Sequence, residues 1–130
     1  CYKGFQAINP IQFKDLSAED AGSYKASVLK ENRDYLDSII LLSRKNKSKL
    51  VFVVSPTYIK GSNRIVNRDE QIQVFGAIAK KNNIPFLDYT DDPICSDELL
   101  FADFYHMKKE GAQKFSLVFG RDLDSLLTAK

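Results

Sequence analysis

Leu50-Val51-Phe52-Val53-Val54 is an apolar run without a polar break, rich in β-branched residues and stopped by Ser55-Pro56. A run this short predicts a strand buried on both faces, as in a parallel sheet. Ile84-Pro85-Phe86-Leu87-Asp88-Tyr89 predicts a second such strand, with its proline near the start, where a missing N–H is tolerated. Elsewhere the apolar period lengthens to that of a helix. Tyr24, Val28, Tyr35, Leu36, Ile39, Ile40 and Leu42 share one face. Ser17-Ala18-Glu19-Asp20 resembles a capping box at one end, and Lys45, Lys47 and Lys49 suit the helix dipole at the other, so a long helix is predicted over residues 19–46. Ile72, Phe75, Ile78 and Ala79 predict a helix that starts at Asn67 or Asp69 and ends near residues 81–83. Ala112, Phe115, Val118, Phe119, Leu123, Leu126 and Leu127 form the stripe of a last helix over residues 108–127. Between these, residues 57–66 (TYIKGSNRIV) predict a polar loop and Thr90-Asp91-Asp92-Pro93 a turn. Residues 1–17 form an irregular lead-in with a turn signal at Asn9-Pro10 and a short extended piece over residues 5–8.

The order helix, strand, helix, strand, loop, helix is that of an α/β protein. The expected architecture is a three-layer, flavodoxin-like parallel sheet, and residues 1–130 are expected to form a single domain. Two strands are too few for it, since open sheets usually have ~4–6. A run such as LVFVV needs a neighbour on each side, because buried backbone groups must be paired. The expectation is therefore an incomplete, C-terminal part of a domain whose first strands lie upstream or come from another chain. The alternative is a whole chain that completes its sheet by dimerising through open strand edges.

Composition narrows the function. The chain is 44% hydrophobic and 28% charged with a net charge of +2, an ordinary globular balance that implies no nucleic-acid partner. No apolar run approaches the ~20 residues of a transmembrane segment. Cys1 and Cys95 are too few for a disulfide framework and lack metal-ligand spacing. The chain opens on Cys1 and its only methionine is Met107, so it does not begin at a translation start. A trimmed precursor is the favoured account. A lipoprotein would also begin on cysteine, but Tyr2-Lys3-Gly4-Phe5 is a poor polar tether.

In an open α/β sheet, ligands bind beyond the carboxyl ends of the strands. Three segments reach that edge: residues 55–57, residues 88–92, and the loop that carries Asp103 and the only histidine, His106. An aspartate three residues before a histidine can turn its carboxylate onto Nδ1–H. That fixes the tautomer, frees Nε2 as a base and stabilises the imidazolium, as in two thirds of a Ser-His-Asp arrangement. Phe101, Phe104 and Tyr105 would anchor the loop and exclude water. The plainer alternatives are that Asp103 caps the last helix or holds a turn, and that His106 is a surface residue. Ser55 is either a nucleophile or, lacking a glycine-flanked elbow, only the end of a strand. Cys95 is either a thiol partner of His106 or a small buried residue. Tyr58, Lys60 and Arg64 line a cleft or a solvated loop, and Asp88 reads as a turn acceptor.

Asp103-Phe104-Tyr105-His106-Met107-Lys108-Lys109-Glu110-Gly111-Ala112 resembles the last block of the SGNH (GDSL-like) hydrolases, D-x-x-H-(L)-x-x-x-G-(A). LVFVVSPTY, a helix and then NNIPFLDYT are similar to that family's late strand–helix–strand portion, so the resemblance spans residues 20–128. It implies that Asp103 is the orienting acid and His106 the general base for a serine in a G-D-S block after the family's first strand. A glycine and an asparagine of two middle blocks complete the oxyanion hole there. This chain has no G-D-S, and Gly61-Ser62-Asn63-Arg64 lies too late to stand for the G-x-N-D block. Met107 replaces the more usual leucine or proline. The resemblance implies an ester hydrolase acting on acyl or acetyl esters of small molecules or glycans, without metal or organic cofactor. Its nucleophile would lie upstream, and the chain alone would be inactive. It also implies an exported or cell-envelope setting. The alternative is a non-catalytic binding or envelope-assembly module on the same fold.

Overall fold

The computed structural model describes residues 22–27 and 30–128. In chain order these hold α1 (Lys30–Lys45), β1 (Phe52–Val54), α2 (Ile59–Ser62), α3 (Arg68–Lys81), β2 (Phe86–Asp88), two 3-10 turns (Pro93–Ser96 and Glu98–Leu100) and α4 (Lys109–Thr128). β1 and β2 pair in parallel, Phe52 opposite Phe86, Val53 opposite Leu87 and Val54 opposite Asp88. With α3 as the crossover they make a βαβ unit, so the arrangement is α/β.

The predicted first helix is corrected at its start. Residues 22–27 are extended: Tyr24 N–H donates to Arg64 O at 2.8 Å, and Tyr24 O accepts from Val66 N–H at 3.0 Å. The buried Asn67 side chain clamps Ala26 from both sides, Oδ1 accepting its N–H at 2.8 Å and Nδ2 donating to its carbonyl at 2.9 Å. These long-range backbone bonds outweigh the helical spacing of Tyr24 and Val28, which is only a weak prior. The capping box at Ser17 and the lead-in of residues 1–17 lie outside the described residues. α1 begins with Glu31 in its first turn and ends with Arg44 and Lys45, matching its dipole. Lys47 and Asn83, both at φ 55°, turn the chain out of α1 and α3.

The expected polar loop of residues 57–66 is corrected too. It holds α2, and Tyr58, Gly61 and Ser62 are buried. Tyr58, Leu100 and Phe101 form a core cluster against which Ile59, Ile94, Phe104 and Met107 pack. A second apolar contact joins β2 to α4, where Tyr89 meets Phe115 edge-on at 5.0 Å and its hydroxyl donates to Asp122 Oδ2 at 2.6 Å.

The expectation that the LVFVV strand is buried on both faces fails among the described residues: Val53 is 39% exposed. Phe52 N–H donates to Pro85 O at 2.9 Å and Val54 O accepts from Tyr89 N–H at 3.0 Å. Residues of a parallel strand alternate in the edge they address, so the backbone groups of Val51, Val53 and Ser55 face away from β2. An open cavity of about 550 Å³ is lined by residues of α1, β1, α3 and β2, with Leu36, Val53, Ile72, Phe75 and Phe86 among them.

Candidate active site

The loop between the second 3-10 turn and α4 closes on itself. Phe101 and Met107 form an antiparallel bridge, Ala102 N–H donates to His106 O at 2.6 Å, and Lys108 N–H donates to Leu100 O at 2.8 Å. Inside this ring Asp103 Oδ1 accepts the N–H groups of Tyr105 and His106, each at 2.8 Å. His106 Nδ1 lies 2.9 Å from Oδ1 and 2.7 Å from Oδ2. The sequence spacing thus does turn the carboxylate onto the imidazole, and the same carboxylate also holds the turn. Helix capping is not its role, since its bonds go to Tyr105 and His106.

Burial works against ionisation of Asp103, but the N–H of Tyr105 and the ring and N–H of His106 outweigh it and hold the carboxyl below its ordinary value. An ionised carboxylate only accepts, so Nδ1 carries the proton and Nε2 is the basic nitrogen. Among the described residues nothing hydrogen-bonds Nε2. The His106 side chain is 63% exposed and that of Asp103 is 49% exposed. The expectation that Phe101, Phe104 and Tyr105 exclude water is therefore corrected. Phe101 is fully buried beneath the loop and anchors it, whereas Tyr105 is 40% exposed.

Several side chains outside the block support it. Tyr58 N–H donates to Phe104 O at 3.0 Å, and the Tyr58 ring stands 5.9 Å from Phe101 and 6.5 Å from Phe104. Its hydroxyl donates to Glu98 Oε2 at 2.9 Å, and burial, followed by that bond, pushes its ionisation up. The Arg64 guanidinium lies 5.4 Å from the Phe104 ring, and the Lys60 ammonium 5.8 Å from that of Tyr58. Tyr58 and Arg64 are thus supports of the loop rather than a solvated segment. A Cβ on Gly111 would run into the Leu100 carbonyl, so this glycine lets α4 start directly against the loop. Met107 packs on the core cluster.

The other candidates go elsewhere. Ser55 is exposed at the end of β1 and makes no hydrogen bond to His106. Cys95 is buried, its Sγ contacts Tyr89 O at 3.3 Å, and burial raises its thiol pKa, the opposite of an activated thiolate. Asp88 Oδ1 accepts Thr90 N–H at 3.0 Å, the turn role expected of it. Ser62 Oγ is 2.6 Å from Thr57 Oγ1. Two features were not expected. Tyr24 places its hydroxyl 3.2 Å from that of Tyr105, beside His106. Arg68, which lines the β1 cavity, has a buried Nη1 with no partner among the described residues. Both depend on segments brought together by the fold, which spacing along the chain does not reveal.

Among the described residues no group of three His, Cys, Asp or Glu could hold a metal, and no helix is long and apolar enough to cross a membrane. The site offers one oriented base with a free nitrogen, able to take a proton from a hydroxyl or a water. Comparison of the chain with family models, curated proteins and solved structures returned no match.

Proposed function

We propose that Asp103 and His106 are the acid and base of an SGNH-type ester hydrolase whose serine nucleophile lies in polypeptide upstream of this chain. The observation that carries this reading is the two-oxygen seat of Nδ1 on Asp103, at 2.7 and 2.9 Å, with Nε2 left open. In the reaction, Nε2 takes the proton of the serine hydroxyl as its oxygen attacks the acyl carbonyl. Asp103 stabilises the imidazolium, which then gives the proton to the departing alcohol. Water repeats the cycle and releases the acid. No metal or organic cofactor takes part. The substrate class is an acyl or acetyl ester of a small molecule or a glycan.

In this reading β1 and β2 are late strands of a three-layer, flavodoxin-like sheet. Two observations support it. Among the described residues the outer edge of β1 has no neighbouring strand, and an apolar cavity borders the same strand, which would suit the addition of one. Arg68 lines the same cavity, and its buried Nη1 has no partner among the described residues.

The test is turnover of a short-chain p-nitrophenyl ester by the polypeptide that includes the upstream residues, beside its His106→Ala variant. We expect a loss of roughly 10²–10⁴-fold. Equal turnover by the two would overturn the reading. A non-catalytic binding or envelope-assembly module is the second reading. An upstream sequence without a serine in a G-D-S-like block would favour it. If the β1 edge is instead closed by a second copy, sedimentation of this chain shows a dimer.

A further inference from the structure

We propose that Gly61 on α2 is a positioning residue for the Asp103–His106 pair: its missing side chain lets α2 hold Phe104 at the one spacing that seats Nδ1 on both carboxylate oxygens. The inference rests on His106 being the base. Gly61 is buried and is not required by backbone conformation, because its φ is not in the left-handed region. Its role is space. A Cβ there would lie 2.6 Å from Phe104 Cβ, 2.8 Å from Phe104 O and 3.2 Å from Phe104 Cα. These atoms are the root and backbone of one residue, so a side chain cannot be accommodated by turning a flexible end away.

Phe104 is not free to retreat. Its carbonyl is held by Tyr58 N–H at 3.0 Å, at the start of the same short helix. Its ring stands 6.5 Å from that of Tyr58 and 5.4 Å from the Arg64 guanidinium. It also stands between Asp103 and the two N–H groups, of Tyr105 and His106, that the Asp103 carboxylate accepts. Any shift of Phe104 therefore passes into the turn that sets carboxylate against imidazole. Hydrogen bonds weaken steeply with misalignment, so a displacement of a few tenths of an ångström suffices to lose one of the two Nδ1 contacts. Gly61-Ser62-Asn63 carries letters similar to an oxyanion-hole block of the SGNH family, but here its glycine packs against Phe104.

The chain has a single histidine, so its ring nitrogen and proton signals are assigned without ambiguity. The experiment is nitrogen-15 NMR of this chain and four variants near neutral pH. Wild type should show a downfield Nδ1 proton. Asp103→Asn gives the signature of a broken pair. Gly61→Ala should lose the downfield proton and move both nitrogen shifts toward those of Asp103→Asn. Arg64→Ala, which removes the guanidinium 5.4 Å from the same phenylalanine ring, should move them the same way by less. Gly76→Ala, whose Cβ meets only the Phe86 ring at 3.6 Å, should leave them unchanged. A folded Gly61→Ala protein with wild-type His106 signals overturns the proposal; if that variant does not fold, unchanged signals in Arg64→Ala overturn it. Failure of the hydrolase reading is separate, because it appears in ester turnover and leaves these signals untouched. In the ester assay Gly61→Ala should lower kcat roughly 10-fold to 100-fold with little change in KM.

Discussion

One carboxylate organises the candidate site. Asp103 accepts two backbone N–H groups and one ring nitrogen, all within three residues along the chain. Replacing it with alanine should lower stability by about 1 kcal/mol, read as a shift of the urea midpoint with unchanged m-value, because the bonds are half exposed and partly replaced by water. Its pH dependence has a definite sign. The folded-state carboxyl titrates below its unfolded value, so its contribution is present above the ordinary carboxylate range and fades as pH falls through the lowered one. Asp103→Asn should flatten that part of the acid unfolding curve; an unchanged acid limb would count against the bonding described. At this scale the sequence is a good guide, because D-x-x-H puts its two partners within local reach of each other. Tyr58 and Gly61 were not legible in the same way. The residues they serve lie some forty positions further on, and nothing in TYIKGSNRIV signals that distance.

The elements dock through close backbone approaches and buried hydroxyls. Gly111 near the start of α4 and Gly76 inside α3 make a pair of opposite sign. Gly111→Ala should destabilise by roughly 1–3 kcal/mol, since its Cβ meets the Leu100 backbone. Gly76→Ala should stabilise by about 0.5–1 kcal/mol, since helix propensity improves and the Phe86 contact at 3.6 Å is ordinary. Thermal melts of the two variants check both. Between β2 and α4, burial first and then the bond to Asp122 push the Tyr89 hydroxyl from 10.0 up to about 12. A raised value means stability is full below pH 10 and falls as pH rises toward about 12, where the folded hydroxyl ionises. Tyr89→Phe should remove that alkaline slope in pH-dependent unfolding. The strands and the last two long helices were legible as elements, since period and length agree. Residues 22–27 were not, because the pairing of Tyr24 with Ile65 and the clamp from Asn67 replace the bonds a helix would have made.

At the scale of the whole molecule the outer edge of β1, without a neighbouring strand among the described residues, dominates. Among the described residues β1 pairs only with β2, and Val53 N–H points away from it while its neighbour Val54 faces it, so hydrogen exchange should be fast at Val53 and slow at Tyr89, whose N–H meets Val54 O at 3.0 Å. In the upstream-extended polypeptide the Val53 amide should become protected; equal exposure in both forms would argue against strand addition there. The sequence by itself determined the α/β order, the two strands and the local pairing of Asp103 with His106, because each depends on residues a few positions apart. It also raised the expectation of further strands, since an unbroken apolar run implies neighbours on both sides. Only the tertiary structure decided that residues 22–27 leave the helix, that α2 supports the loop through Gly61 and Tyr58, and that Arg68 faces the β1 cavity. Those outcomes depend on contacts across forty or more residues or between separate elements, where packing and backbone pairing, not periodicity, choose the partner.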